Sequence, residues 1–132
     1  MATNELEQLA QYVGQILIPR INYVDLLIKQ GRPYAAMMGL RSLIEVLQAE
    51  TEPEKRQTSE WVNRIDQVRR IRGTGSASIY RDYDREARRN RAASELCEEL
   101  NAEIWAYLHM RGYFSLALFN DMHYPGKGRT SQ

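Results

Sequence analysis

The apolar residues of this chain recur at steps of three and four, and no segment alternates one by one. Leu6, Leu9, Val13, Leu17, Ile21, Val24 and Ile28 form the first such series. That spacing puts them on one face of a helix, whose turn takes about 3.6 residues. Met37, Leu40, Ile44 and Leu47 form a second series, and Trp61, Ile65, Val68 and Ile71 a third. Ala93, Leu96, Leu100, Ile104 and Leu108 form a fourth. The period-two pattern of a half-buried strand is absent, so the fold class read from the sequence is all-α. The chain has 132 residues, of which 43% are hydrophobic and 27% charged. It is long enough for one core and too apolar for disorder. The expectation is a single all-α domain over residues 1–124, followed by a polar tail over 125–132.

Helix ends can be read from their punctuation. Pro19 lacks an amide proton and clashes with the carbonyl four residues earlier. The first stripe keeps its phase across it, which predicts a kinked first helix rather than two helices. Lys29 and Gly31 give a helix stop, and Pro33 suits the first turn of the next helix, so the first two helices form an antiparallel hairpin. Ala35, Ala36, Gly39 and Ser42 supply a small-residue surface for close backbone approach. Thr51 and Glu54 have capping-box spacing at the start of a third helix, which Gly73 ends. Residues 73–78 have the composition of a turn. A long fourth helix follows from about Ile79 to Arg111, with Asn90 as the place where so long a helix would break. Gly112 stops it, and residues 113–122 read as a short fifth helix. The expected architecture is a bundle of four to five helices built from helical hairpins. The joints LLIKQGRPYAA and YLHMRGYFSLA share a glycine-to-alanine offset. That offset resembles the hairpin of a tetratricopeptide repeat, but its signature sites in the first helix hold Arg20, Val24 and Leu27, and two joints make no array.

Several classes of function are disfavoured. No apolar run approaches the ~20 residues of a membrane span, so no membrane partner is expected. The opening MATNELEQLAQ is acidic and amphipathic, unlike a secretory signal, which points to the cytoplasm or the inside of a virion. Cys97 is the only cysteine, so no internal disulfide can form. His109 and His123 are the only histidines, and neither stands in a Glu-x-x-His or His-Glu-x-x-His spacing. Glu99 and Glu103 share a helical face but read as ion-pair partners. No catalytic residue, metal or cofactor is therefore expected, and the chain is not read as an enzyme. The glycine-rich turn lacks the Gly-Lys-Ser/Thr ending of a phosphate loop and follows a helix instead of a strand. What remains is the general capacity of a helix N-terminus beside arginines to hold an anion.

The charge is distributed unevenly. The formal net charge is only +1, and 15 of the 18 basic residues are arginine. Nine arginines fall between Arg64 and Arg91 against Asp66, Asp82, Asp84 and Glu86, for a local charge of +5. Residues 92–121 carry Glu95, Glu98, Glu99, Glu103 and Asp121 against Arg111 alone, for −4. Arg69, Arg70 and Arg72 complement the C-terminal end of the third helix. Arg81, Arg85, Arg88 and Arg89, followed by Arg91, lie near the N-terminal end of the fourth, where the helix dipole favours acids. Three compensations fit: water alone, an acidic protein face, or nucleic-acid phosphates. Tyr80 and Tyr83 interleave with the arginines and suit either base stacking or packing under arginine stems. Glu95, Glu98, Glu99 and Glu103 offer an acidic face to a partner. Trp105, Tyr107, Tyr113, Phe114, Phe119 and Tyr124 suggest an aromatic anchor surface. The expected function is a non-enzymatic interaction or structural protein that self-associates or joins a larger assembly, such as a viral or phage particle. The alternative is binding of DNA or RNA backbone through the Arg64–Arg91 band.

Overall fold

Pro19 decides the shape of the first helical stretch. The computed structural model, which describes residues 3–73, 78–113 and 115, shows α1 (Thr3–Tyr12), a π-helical turn (Val13–Leu17) and α2 (Ile18–Lys29) in succession. Proline cannot donate to the carbonyl four residues back. Upstream of it the register widens, and the Ile18 amide donates to the Val13 carbonyl, five residues back. Arg20 Nη1 donates to the Ile16 carbonyl at 3.0 Å and caps one of the carbonyls in this turn. Val13, Leu17, Ile21 and Val24 all stay buried. The sequence series fails at its last member: Leu27 is 1% exposed, whereas Ile28 is 40% exposed. The reason is the returning helix. α3 (Pro33–Val46) packs on the side of Val24 and Leu27, where Gly39 brings the two backbones together.

The turn between α2 and α3 is a Schellman ending. Gly31 adopts φ +69°, its amide donates to the Ile28 carbonyl at 3.0 Å, and the Arg32 amide donates to Leu27 at 3.0 Å. α4 (Glu52–Arg69) begins with the expected capping box. The Glu54 amide donates to Thr51 Oγ1 at 3.3 Å, and the Thr51 amide to Glu54 Oε2 at 3.2 Å. α5 (Ser78–Met110) runs 33 residues without a break at Asn90. Gly112, at φ +72°, follows it and donates to the His109 carbonyl at 3.0 Å. The turn residues 74–77, nearly all of the proposed fifth helix and the tail 125–132 lie outside the described residues.

The regular secondary structure of the described residues is all helical, with no strand, and four helices pack together. α3 is central: it touches the π-helical turn, α2, α4 and α5. Its buried side chains Ala36, Met37, Leu40, Leu43 and Ile44 meet Leu17, Val24 and Leu27 together with Trp61, Ile65, Leu100, Ile104 and Leu108 in one core. Two edge-on aromatic pairs close one end. Trp61 meets Tyr107 at 5.8 Å, and Tyr12 meets Tyr113 at 6.5 Å. Tyr12 also donates its hydroxyl proton to the Val46 carbonyl.

Candidate functional site

α5 consists of two unlike halves. From Ala93 to Leu108 its inward residues Ala93, Leu96, Cys97, Leu100, Ile104 and Leu108 are buried. From Ile79 to Arg91 no residue is buried, and Ile79, Tyr80 and Tyr83 are 63%, 71% and 72% exposed. Polar and steric contacts tie this outer half to the bundle. A Cβ at Gly73 would lie 1.9 Å from the Arg81 carbonyl oxygen, so the missing side chain lets the end of the α4 segment lie against α5. Arg88 Nη1 donates to the Arg72 carbonyl at 2.8 Å. The Arg89 guanidinium lies 4.3 Å over the ring of Tyr34.

The arginines expected to act together fall into two groups. Arg69 pairs with Asp66 at 3.4 Å, Arg85 with Asp82 at 3.6 Å and Arg88 with Asp84 at 3.8 Å. Such exposed pairs contribute ~0–1 kcal/mol each. Arg70, Arg72, Arg81 and Arg91 are exposed and make no ion pair among the described residues. Tyr80 and Tyr83, on either side of Arg81 in sequence, stand in water.

The acidic face is smaller than the sequence suggests. Arg64, on α4, places Nη2 2.6 Å from Glu99 and Nη1 2.8 Å from Glu103, joining α4 to α5. Those two carboxylates are therefore engaged within the chain, which leaves Glu95 and Glu98 exposed and without an ion pair among the described residues. The aromatic surface changes as well. Tyr113 is 2% exposed and belongs to the core, with its hydroxyl accepting from Arg111 Nη2 at 3.3 Å. It points inward because Gly112 turns the chain back toward Tyr12. Trp105 remains 42% exposed and donates to Asn101 Oδ1 at 3.2 Å. Phe114, Phe119 and Tyr124 lie outside the described residues, as does His123.

One arrangement was not visible in the sequence. A cleft of about 480 Å³ between α3, α4 and α5 is lined by Tyr34, Arg41, Asp66, Arg69, Arg70 and Arg89. Tyr34 and Arg89 also line an adjoining cleft of about 310 Å³ with Arg85, Glu86 and Asn90. Arg41 is isolated in the sequence and Tyr34 merely follows Pro33, so no local pattern marks either one. Only the packing of α3 against α4 and α5 brings them to the arginine band.

Cys97 is not activated as a nucleophile. Burial pushes the Cys97 thiol up to about 11, and Sγ donates to the Pro33 carbonyl at 3.5 Å, so little thiolate exists at neutral pH. Among the described residues, no group of three or more His, Cys, Asp or Glu side chains is placed to hold a metal ion. No helix there is long and apolar enough to cross a membrane. Comparison with known protein families, curated proteins and solved structures finds no match to this chain.

Proposed function

We propose that this chain is a non-enzymatic helical interaction protein that self-associates, or serves as a small subunit of a larger assembly, through the outer half of α5. The observation that carries this reading is the set of exposed apolar residues Ile79, Tyr80 and Tyr83 on a stretch of helix with no core of its own. Large exposed aromatics grouped on one element are the usual anchors of an interface. Charge supports the same reading. In an antiparallel apposition of two copies, Arg81 and Arg91 of one approach Glu95 and Glu98 of the other, and a two-fold axis makes that contact reciprocal. A viral or phage particle, or a cytoplasmic assembly, is a fitting setting for a subunit of this kind. The proposal takes the fold as one domain over residues 1–124, a bundle of four to five helices with its first helix kinked at Pro19.

Light-scattering size at low and high salt tests the reading. The expected result is an oligomer at low salt that loosens as salt screens the charges. Tyr80→Ser with Tyr83→Ser should give a monomer with an unchanged melting temperature. A wild-type monomer at low salt and micromolar concentration would rule self-association out.

A second reading has its own support. Arg70, Arg72, Arg81 and Arg91 lack acidic partners among the described residues, and the exposed Tyr80 and Tyr83 flank Arg81 in sequence, an arrangement suited to nucleic-acid backbone. It requires binding that weakens steeply with salt and differs little between unrelated DNA or RNA sequences. Fluorescence anisotropy with labelled oligonucleotides at two salt concentrations decides it, and no binding at low salt removes it.

A further inference from the structure

We infer that the cleft between α3, α4 and α5 is a binding site for a phosphate-dense anion, a ligand presenting two adjoining phosphates. The site lies within one copy of the chain and stands whether or not copies associate. Its lining carries four guanidiniums, from Arg41, Arg69, Arg70 and Arg89, against the single carboxylate of Asp66. That carboxylate is divided: Arg69 Nη1 lies 3.4 Å from Oδ1, and Arg41 Nε lies 3.6 Å from the same atom. Arg70 and Arg89 have no ion pair among the described residues. Arg41 Nη1 also pairs with Glu45 on its own helix, so four positive charges over two negative ones leave an excess that two adjoining phosphates, with roughly three negative charges, would more than offset.

The geometry of Arg89 suits this role. Its guanidinium stacks on Tyr34, using the face of the group and leaving in-plane N–H donors for an anion. Stacking also fixes the plane, so little freedom is lost when a ligand arrives. The Nε atoms of Arg41 and Arg89 are both shielded from water and make no hydrogen bond. Shielded donors rarely lack acceptors in folded proteins. Both guanidiniums therefore gain from a small swing toward an incoming oxygen. Arginine forks pair with phosphate oxygens two at a time, and a cleft fed by three helices can present several forks at once. The outer band cannot do this, because Arg81 and Arg91 lie open on one helix.

The same phosphate chemistry can come from a small diphosphate or from a nucleic acid. Titration calorimetry of the full chain with inorganic pyrophosphate tests the site directly. The expected result is saturable one-to-one binding that weakens as salt rises. Arg70→Gln, at an exposed arginine with no ion pair among the described residues, and Arg41→Gln should each reduce affinity at least tenfold. Arg81→Gln and Arg91→Gln should change it less than twofold. Circular dichroism melting of each variant separates loss of the site from loss of the fold, and Arg70→Gln is the variant least able to disturb packing. No saturable binding of pyrophosphate at low salt would overturn the inference. So would equal losses in the cleft variants and the band variants, which would indicate diffuse attraction alone. If an oligonucleotide competes with pyrophosphate and is weakened by Arg70→Gln, the natural phosphates belong to nucleic acid. If pyrophosphate binds and the oligonucleotide does not compete, they belong to a small molecule. Either outcome sustains the site.

Discussion

Gly39 is the point where helix propensity and packing oppose each other most directly. A Cβ there would stand 3.0 Å from Val24 Cγ2 and 3.8 Å from Leu27 Cδ1. Replacing glycine with alanine inside a helix gains ~1 kcal/mol of backbone propensity. Against that, 3.0 Å is well inside the ~3.5–4.0 Å at which carbon atoms attract. Val24 is 2% exposed, and a helical valine is confined to essentially one χ1 rotamer, so its methyl cannot swing aside. α2 must move instead, and overpacking of this kind costs ~1–3 kcal/mol. Gly39→Ala should therefore be destabilising by ~0–2 kcal/mol, despite its better propensity. Val24→Ala alone removes two buried methyls at ~0.8 kcal/mol each plus a cavity term, for a loss of ~2–3 kcal/mol. In that background the steric conflict is gone, and Gly39→Ala should stabilise by ~1 kcal/mol. The cycle thus predicts a coupling of ~1–3 kcal/mol, read from urea unfolding of the four proteins at a common slope. If Gly39→Ala stabilises equally in both backgrounds, the α2–α3 contact is looser than described and the argument fails.

Glu54 is held down at about 2 by the amides of Glu50 and Thr51 and then by Arg111, against an ordinary value of 4.5. A depressed carboxyl stabilises the fold above its unfolded pKa, so this contribution should fade as pH falls from about 4.5 toward about 2. The difference in melting temperature between wild type and Glu54→Gln should shrink across that window. At the alkaline side, burial raises Cys97 to about 11 and Tyr12 to about 12. Their unfolded forms ionise first, from about 9 and 10, so stability present below pH 9 should fall as pH rises through 12. Cys97→Ala should flatten the earlier part of that fall in a pH series of thermal melts. Changing Arg81, Arg85 and Arg88 together to glutamine should retain helicity, because the lost ion pairs of Arg85 and Arg88 are exposed. Relief of repulsion near the helix start offsets part of the lost Arg88–Arg72 bond, worth ~1 kcal/mol. Loss of the fold would show that these arginines are internal supports.

Local patterns carried most of the fold. The stripe on α5 could be read because Ala93, Leu96, Leu100, Ile104 and Leu108 recur at helical steps, and all five are buried. The capping box at Thr51 and Glu54 and the glycine endings at Gly31 and Gly112 are likewise short-range signals. The π-helical turn was not legible, because it is one of several ways to absorb Pro19. The exchange of Ile28 for Leu27 depends on which side α3 returns. Burial of Tyr113 depends on Tyr12, a hundred residues away in sequence. The arginine cleft is the clearest case. Its members Arg69, Arg70 and Arg89 belong to a visible cluster, but Tyr34, Arg41 and Asp66 join them only through packing. Glu99 and Glu103 were recognisable as ion-pair partners from the arginine band beside them in sequence, whereas Arg64 as the partner required α4 and α5 side by side.

The contrast between the two halves of α5 explains how a chain of net charge +1 can present so biased a surface. Where α5 has the core beneath it, Glu99 and Glu103 share the Arg64 guanidinium across the groove to α4. Toward its N-terminus the helix leaves that support, and the acids available to the arginines are mainly their own neighbours in sequence, Asp82 and Asp84. Those pairs cannot offset the unfavourable dipole at this end, and a helix of about 13 residues is marginal by itself. The outer half must therefore draw its order from its continuity with the buried half and from its ties to the bundle. Of its contacts, the Arg89–Tyr34 stack itself lines the arginine cleft, and Arg72 and Gly73 follow the cleft residue Arg70 closely in sequence. Cleft and overhang consequently share a mechanical base. An anion that draws Arg89 toward Arg69 and Arg70 would strengthen the tie between α5 and α4 and steady the exposed tyrosines beyond it.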